Sequence, residues 1–249
     1  MLKKRVIPIV LLDGFSVLKT INFNIRRNLG SPVTVMRTYN TRNVDEMIIL
    51  DIDASKQGRT FDKFIVKEIT NDCFMPLTIG GGIKTLKDIE TLLKSGADKI
   101  SINSYAFESD SFIKDASMEF GSQCIVASVD LISDGGSYFV YSNGKVIKDL
   151  NYKYWIRNLI SLGAGEILIN DVSRDGLMNG ANYNLAKEIS DMSSIPIIFA
   201  GGISDPLDAA NLVKHSDIDA IGISSIFHFT DFTPEDCRTE LKSLNIPSR

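Results

Sequence analysis

The segment Leu77–Ser104 reads LTIGGGIKTLKDIETLLKSGADKISINS, and its pattern decides the fold of the chain. An apolar run ends in Gly80-Gly81-Gly82, and a polar segment with apolar residues at helical spacing follows it. Gly96 ends the predicted helix, after which a short apolar run leads into Asn103-Ser104. This order predicts a strand, a helix and a second, parallel strand. The three glycines leave backbone N–H groups free to bind an anion, most often a phosphate.

The same order returns in the second half of the chain. Pro196–Ala200 leads into Gly201-Gly202, a helical pattern follows, and Asp219–Ile223 leads into Ser224-Ser225. The segments before these also match, since LDIDASKQGR at 50–59 resembles INDVSRDG at 169–176. We therefore interpret the chain as two similar halves. A single Gly-rich turn can serve tight geometry alone, but two copies at matching places favour two binding turns.

Eight strand-like runs alternate with helical patterns along the chain. Most of them are almost continuously apolar, as strands buried on both faces are. Eight such repeats without a linker predict a (β/α)8 TIM barrel as one domain over residues 1–249, and an open doubly wound sheet is the alternative. The runs are Arg5–Leu12, Glu46–Ile52, Pro76–Ile79, Asp98–Ile102, Cys124–Asp130, Glu166–Asn170, Pro196–Ala200 and Asp219–Ile223.

Two segments depart from this alternation. Asp13–Ser31 is too long for a simple connection, and we expect it to be a mobile loop over the barrel mouth. Ser133–Leu150 has alternating residues on both sides of Asn143-Gly144, which predicts a β-hairpin inserted at about 133–150.

Composition excludes several classes of protein. A net charge of −4 and a pI near 5.3 argue against a nucleic-acid-binding surface. The three cysteines, Cys73, Cys124 and Cys237, lie far apart, so neither a metal site nor a disulfide framework is expected, and a reducing cytoplasm is the natural location. No run has the 18 or so apolar residues that a membrane helix needs. Nothing in the sequence calls for a cofactor.

Polar side chains stand at the carboxyl ends of the predicted strands, where barrel enzymes place their active groups. Carboxylates that converge on one rim suit acid–base chemistry, particularly when their surroundings raise a pKa. We expect Asp130 to be the main proton-transfer group, because it ends an apolar run, whereas Asp53 and Asp175 are equally suited to capping a helix or a turn. The strand-end residues are Asp51, Asp53, Asp130, Asn170 and Asp171, with Asp175 in the following loop.

Charged residues also mark the opposite strand ends. Isolated surface charges there would mean little. Two cations and two anions around the barrel axis would instead form a closed ion ring able to gate a passage into the barrel. These residues are Arg5, Glu46, Lys99 and Glu166.

The order of several motifs resembles one known family across essentially the whole chain. That family is HisF, the cyclase subunit of imidazole glycerol phosphate synthase. No single motif is unique to it, but their order and spacing together are highly specific. The matching segments are TIGGGI, GADKISIN, FGSQCIVASVD, GAGEIL, SRDG, the second Gly-Gly turn and SSIFHF.

The resemblance implies a barrel of two half-barrels that binds a substrate with a phosphate at each end. It also implies a heterodimer with a HisH-like glutaminase, which supplies ammonia through a gate of two basic and two acidic residues at the barrel bottom. By resemblance, Arg5, Glu46, Lys99 and Glu166 are that gate, and Asp98 lies at the partner interface. The phosphate sites would be Gly82, Asn103 and Ser104 on one side, and Asp175, Gly176, Gly202, Ser224 and Ser225 on the other.

One position breaks the family pattern. The family uses an aspartate at the end of strand 1 and another at the end of strand 5; Asp130 matches the second, but Leu11 stands at the first. Asp13 is near, though its alignment is not that of the family. The segments VLLDGFSVLKTINF and CFMPL resemble a paralogous branch that accompanies surface-polysaccharide (lipopolysaccharide) genes and helps to build an acetamidino group on a sugar.

Several functions therefore stay open at this stage. The leading one is an ammonia-using HisF-type synthase, whose family reaction converts a phosphoribulosyl aminoimidazolecarboxamide ribonucleotide into imidazole glycerol phosphate and aminoimidazolecarboxamide ribonucleotide. The paralogous branch would use an activated sugar instead. A phosphorylated-sugar isomerase with paired aspartates is disfavoured by Leu11, and a non-catalytic activator of a glutaminase is the remaining class.

Overall fold

The computed structural model describes residues 3–42, 44–71, 74–109 and 111–249, so Cys73 lies outside the described residues. In this part of the chain twelve strands and nine α-helices alternate. The strands are β1 Arg5–Leu12, β2 Val17–Ile21, β3 Ile25–Gly30, β4 Met47–Asp51, β5 Leu77–Gly80, β6 Lys99–Ile102, β7 Ile125–Asp134, β8 Ser137–Ser142, β9 Lys145–Ile147, β10 Glu166–Asp171, β11 Ile197–Ala200 and β12 Ala220–Ile223.

The helices lie between the parallel strands and cover the sheet from outside. Short 3-10 turns at Ser104–Phe107 and Ser122–Cys124 follow β6 and precede β7. The helices are α1 Pro32–Thr41, α2 Lys63–Thr70, α3 Leu86–Lys94, α4 Phe112–Phe120, α5 Tyr152–Ser161, α6 Tyr183–Met192, α7 Pro206–Ser216, α8 Ser225–Phe229 and α9 Pro234–Ser243.

Eight parallel strands close into a barrel. Their order around the ring is β1, β4, β5, β6, β7, β10, β11 and β12, and β12 pairs with β1 to close it. The predicted (β/α)8 barrel is confirmed. In this ring β1 lies opposite β7 and β4 lies opposite β10, which places equivalent strands of the two halves across the barrel axis from each other.

Side chains alternate between the barrel interior and the surrounding helices. Along β1, Ile7, Ile9 and Leu11 belong to the inner cluster, whereas Val6 and Val10 pack in the larger layer between strands and helices. This alternation follows from the period of two along a strand, and it explains why both faces of β1 are apolar. The interior is therefore packed near its middle, and polar groups are concentrated at its two ends.

The two halves repeat in their hydrogen bonds as well as in their strands. The carboxylate of Asp98 accepts a bond from the backbone N–H of Leu77 at 2.8 Å, and that of Asp219 accepts from Ile197 at 2.9 Å. Each aspartate thereby fixes the start of the preceding barrel strand. These contacts support the division into two equivalent half-barrels.

The segment 13–31 is not the irregular loop that the sequence suggested. It forms the antiparallel pair β2 and β3, and β2 also pairs with the end of β1. The chain reverses at Asn22-Phe23, where both residues have positive φ, as the tight turns of two-stranded hairpins require. The prediction was wrong because Lys19 and Thr20 are buried although polar, so the strand lacks the usual apolar face.

The second antiparallel segment extends from the end of barrel strand β7. β7 is ten residues long and runs past the rim, where it pairs with β8, and β8 pairs with β9 around Asn143-Gly144. This is the β-hairpin that the alternating pattern predicted. In the described residues, no helix is long and apolar enough to cross a membrane.

Candidate active site

A cavity of about 210 Å³ opens at the carboxyl ends of the barrel strands. Its wall has two different halves. Leu11 and Leu50, from β1 and β4, make one side apolar. Asp130 and Asn170, from β7 and β10, lie across the axis and make the other side polar. Asp130 therefore lies across the barrel axis from two apolar side chains, although Asp51 at the end of β4 also lines the cavity.

Asp130 is a buried carboxylate with two amide donors. Asn103 Nδ2 donates to one of its oxygens at 2.7 Å, and Asn170 Nδ2 donates to the other at 2.7 Å. Burial raises the pKa of Asp130 to about 6, because a charged carboxylate loses solvation there, although the two amides oppose the rise. A carboxyl group with this pKa exchanges a proton readily near neutral pH.

The family pattern has an aspartate where Leu11 stands. Among the residues described at the end of β1, no other carboxylate takes its place. Leu11 is 8% exposed and packs in the apolar inner cluster. Asp13 turns away, since its carboxylate accepts bonds from the N–H groups of Phe15 at 3.2 Å and Ser16 at 2.9 Å. Asp13 thus stabilises the turn between β1 and β2, a structural role.

The other strand-end carboxylates are held by specific partners. Asp51 accepts bonds from Arg59 and from the N–H groups of Asp53 and Ala54, which shapes the loop after β4. Asp53 pairs with Arg26 of β3 in a bidentate contact at 2.5 and 2.7 Å, and this bond holds the pKa of Asp53 below its usual value. These groups are committed to shaping the rim.

Asp171 lies behind the rim in a buried polar network. One of its oxygens accepts a bond from the hydroxyl of Tyr138 at 3.1 Å, and Tyr138 in turn accepts one from Asn182 at 2.7 Å. Burial raises the pKa of Asp171 despite these bonds. The network joins β8, β10 and the start of α6, and so fixes the hairpin of β8 and β9 to the barrel.

The β2–β3 hairpin covers part of the mouth. Lys19 and Thr20 reach the carboxylate of Asp175 at 3.2 and 2.7 Å, so β2 is attached to the loop after β10. At its tip, Phe23 meets Tyr141 of β8 edge to face, with ring centroids 6.3 Å apart. The two hairpins therefore meet above the cavity and narrow its entrance.

Two glycine turns face each other across the rim. At both Gly82 and Gly202 the backbone has positive φ, and a Cβ would overlap with the carbonyl oxygen of a neighbouring loop, that of Arg59 or Gly180. Glycine is therefore required at both places. Short helical turns begin at Ser104 and Ser225, and both residues line the same cavity as the two glycine turns.

Four charged side chains form a closed ring at the opposite end of the barrel. Arg5 donates to Glu46 at 2.8 Å and to Glu166, and Lys99 donates to Glu46 at 2.7 Å and to Glu166 at 3.0 Å. Burial disfavours the charge on Glu46, but Arg5 and Lys99 outweigh it and hold its pKa below the usual value. The signs alternate around the ring, so each charge has two partners of opposite sign.

Comparison with known proteins finds relatives along almost the whole chain. The profile described as "Histidine biosynthesis protein" matches residues 5–233. HisF subunits of imidazole glycerol phosphate synthase from an Exiguobacterium species and from Clostridium botulinum are 38% and 35% identical, with 100% and 99% of this chain and 97% and 98% of the relatives covered. A Campylobacter jejuni protein, provisionally named imidazole glycerol phosphate synthase subunit hisF2, is 44% identical over 97% of this chain and 96% of its own length.

This chain belongs to the HisF family. The residues assigned to binding and catalysis by resemblance all line the one cavity, and the four assigned to the gate all meet in the one ring. Asp98 is exposed near the ring, and one of its oxygens is used by the backbone of β5. In the described residues, no cluster of His, Cys, Asp and Glu side chains is arranged to hold a metal ion.

The sequence did not reveal several side-chain contacts at the cavity of this HisF-family chain. It placed Asn170 at a strand end without a role, and it did not foresee that Asn103 donates to Asp130. The available signal was the parallel register, because polar residues at the ends of neighbouring strands point to the same rim. The contact between Phe23 and Tyr141 had no comparable signal, since it joins two separate hairpins.

Proposed function

We propose that this protein is the ammonia-using synthase subunit of a HisF-type complex, with Asp130 as its proton-transfer group. A substrate with a phosphate at each end lies across the barrel mouth, and ammonia enters from the opposite end. The observation that carries this proposal is the closed ring of Arg5, Glu46, Lys99 and Glu166 at one end of the same barrel that holds Asp130 at the other.

The chemistry follows from the needs of ammonia as a nucleophile. When neutral ammonia adds to an electrophilic carbon, the new C–N bond leaves a positive charge on nitrogen, and one proton must go to a base. Asp130 as a carboxylate accepts that proton, and in its protonated form it donates one to a leaving group. Its pKa of about 6 makes both forms accessible near neutral pH.

The binding of the two phosphates is assigned to the two equivalent turns. Gly82 with Asn103 and Ser104 would hold one, and Gly202 with Ser224 and Ser225 the other, together with Asp175 and Gly176 of the loop after β10. Backbone N–H groups bind phosphate well where no Cβ blocks the approach. The hydroxyl of Ser224 is buried without a partner in the structure, which suits a donor waiting for an anion.

The partner would be a class I glutaminase of the HisH type, docked one-to-one on the face with the ring and Asp98. We place the complex in the cytoplasm, because the cysteines are too far apart in the sequence to indicate a disulfide framework.

Purified protein incubated with ammonium salt and the phosphoribulosyl aminoimidazolecarboxamide ribonucleotide tests the proposal. We expect imidazole glycerol phosphate by mass spectrometry, and we expect Asp130→Asn to lower the rate by about 10²-fold or more. Activity that survives in this variant would assign the proton transfer elsewhere. No product from any ammonia-dependent reaction, combined with stimulation of a glutaminase, would indicate a non-catalytic activator.

A second candidate is favoured by Leu11. An apolar side chain lies across from Asp130 where the family has a carboxylate, so the second candidate differs from the first in its substrate. That substrate is an activated sugar, on which the ammonia would form an acetamidino group, as in the surface-polysaccharide branch. Leu11→Asp separates the candidates. A gain of imidazole glycerol phosphate formation would indicate an enzyme of histidine biosynthesis that has lost this activity, and no gain would favour the activated sugar as substrate.

A further inference from the structure

One pair of neighbouring strand positions distinguishes the two halves of the mouth. In the first half, Leu11 of β1 is the direct register partner of Leu50 of β4. In the second half, Asp130 of β7 is the direct register partner of Asn170 of β10. Cross-strand neighbours interact directly. The carboxylate of Asp130 therefore lies beside the amide donor of Asn170, and the apolar Leu11 lies beside the apolar Leu50.

Asn170 contacts Asp130 from one side and Asn103 contacts it from the other. Asn170 Nδ2 lies 2.7 Å from Asp130 Oδ1 and 3.3 Å from the hydroxyl oxygen of Ser128, which is buried below. Asn103, just beyond the end of β6, takes Asp130 Oδ2 at 2.7 Å. The carboxylate is therefore held between two neighbouring strands, and it cannot turn without losing one of these bonds.

We propose that Asn170 is the positioning residue of Asp130, which fixes the orientation of this carboxylate and stabilises its charged form. The second lone pair of each oxygen is left for the substrate, since each amide occupies one. The catalytic meaning of this contact rests on the proposed function, but the contact itself does not.

The charged groups near Asp130 do not stabilise its carboxylate, so this stabilisation comes from the two amides. Asp175, in the loop after β10, is a carboxylate that disfavours the charge on Asp130, and it is itself paired with Lys19 of β2. Tyr141 is the register partner of Asp130 on β8, and Asp171 follows Asn170 on β10, bonded to Tyr138. The facing strands β1 and β4 present Leu11 and Leu50.

The test follows the side-chain carboxyl carbon of Asp130 by 13C NMR during a pH titration, with Asp130→Asn to assign the signal. In the unchanged protein we expect a midpoint at about 6. Asn170→Leu keeps the branching at Cγ and removes the donor, so the midpoint should rise by roughly one unit. Leu50→Asn is the matched control, because it puts an amide at the equivalent position of the other half, and it should leave the midpoint unchanged.

A second variant keeps the test decisive if Asn170→Leu does not fold, which the fluorescence of buried Trp155 reports. Asn170→Asp puts a carboxyl group in contact with Asp130, and the pair should titrate in two coupled steps on either side of pH 6. Folded Asn170→Leu protein with an unchanged midpoint, or independent titration in Asn170→Asp, would overturn the proposal. The proposed function fails separately, through the ammonium-dependent rate, because the titration needs no substrate.

Discussion

At the scale of single residues, Asp130 shows what the burial of a carboxylate requires. The free energy of ionising this group in the folded protein exceeds that in water, because desolvation opposes the charge more than the two amides favour it. The pKa of Asp130 is about 6 against a usual value of 3.8, and this difference lowers the folding stability at neutral pH by about 3 kcal/mol. Carboxylates with perturbed pKa values cluster at functional sites, and the position of Asp130 in the cavity fits that pattern.

This cost gives a prediction for stability against pH. The pKa of Asp130 is raised in the folded state, so the unfolded chain releases the proton first, and the stabilising contribution is complete below about pH 4. It is lost as the pH rises through about 6. Asp130→Asn removes this dependence, so the free energy of unfolding of the variant should gain on that of the unchanged protein by up to about 3 kcal/mol between pH 4 and 7.

Urea unfolding curves at pH 4, 5, 6 and 7.5 measure this difference. Asp134→Asn carries the same chemical change on an exposed part of β7 and is the matched control, with an expected change below about 1 kcal/mol. A difference for Asp130→Asn that stays constant over the range would show that this carboxyl ionises as easily in the folded protein as in the unfolded chain.

At the scale of elements, the glycine turns combine backbone strain with steric need. Gly82 and Gly58 have almost the same φ, +63° and +64°, but a Cβ on Gly82 would overlap with the carbonyl oxygen of Arg59, whereas one on Gly58 would meet nothing within 4 Å. The two positions thus separate the effect of strain from that of close approach.

We expect Gly58→Ala to lower the free energy of unfolding by about 1–2 kcal/mol, through strain alone. Gly82→Ala should lower the free energy of unfolding by more, and by displacing the loop after β4 it should remove the anion site that we propose at this turn. Crystals grown in sulfate are expected to show an ion at each turn in the unchanged protein and in Gly58→Ala. In Gly82→Ala, only the site at Gly202 should remain. Crystals of the unchanged protein with both turns empty would contradict the assignment.

The β2–β3 hairpin leads to a prediction about local opening. Two-stranded hairpins are marginal on their own, and Arg26 fixes this one to the rim through Asp53. Arg26→Ala should increase hydrogen exchange over residues 17–30 about tenfold, with little change in global stability, because the pair is partly exposed. Lys56→Ala is the control, since Lys56 acts on Asp53 only through space. Unchanged exchange in Arg26→Ala would show that the other contacts of the hairpin, with β1, Asp175 and Tyr141, hold it without Arg26.

The strands illustrate what sequence patterns can and cannot reveal. β1 was predicted with its observed bounds, because both faces of a buried parallel strand are apolar and the run is unmistakable. β7 extends to Asp134, four residues beyond the predicted end at Asp130, because its last residues leave the barrel and pair with β8. Burial of Lys19 depends on a distant partner, Asp175, and no local pattern contains that information.

At the scale of the whole molecule, polar groups lie at both ends of the barrel, with the ion ring at one end and the cavity that contains Asp130 at the other. The sequence identified the four residues of the ring from strand starts, and the two turns from glycine repeats, because barrel topology alone brings such positions together. It did not predict the two amides on Asp130, since their donors depend on side-chain orientation. The part of the site that follows from topology was therefore predictable, and the part that depends on rotamers was not.

The ring itself argues for a function at the molecular scale. Arg5, Glu46 and Glu166 are almost fully buried, and buried ion pairs contribute little net stability because desolvation offsets their attraction. Removing one partner, however, leaves uncompensated charge. Lys99 is the most exposed member and bridges both glutamates, so it is the member whose movement opens the ring at least cost.

We therefore expect Lys99→Ala to separate the two half-reactions of the proposed complex. Glutamine hydrolysis by the partner should continue, but product formed per glutamine should fall several-fold because ammonia escapes, while the rate with external ammonium persists. Lys4→Ala is the matched control, because Lys4 is a buried cation at the same barrel end that pairs with Asp217, outside the ring. Its coupling of glutamine to product should remain intact. Unchanged coupling in Lys99→Ala, or use of glutamine by this chain alone, would refute the gate, and loss of coupling in both variants would assign the effect to general disturbance of this face.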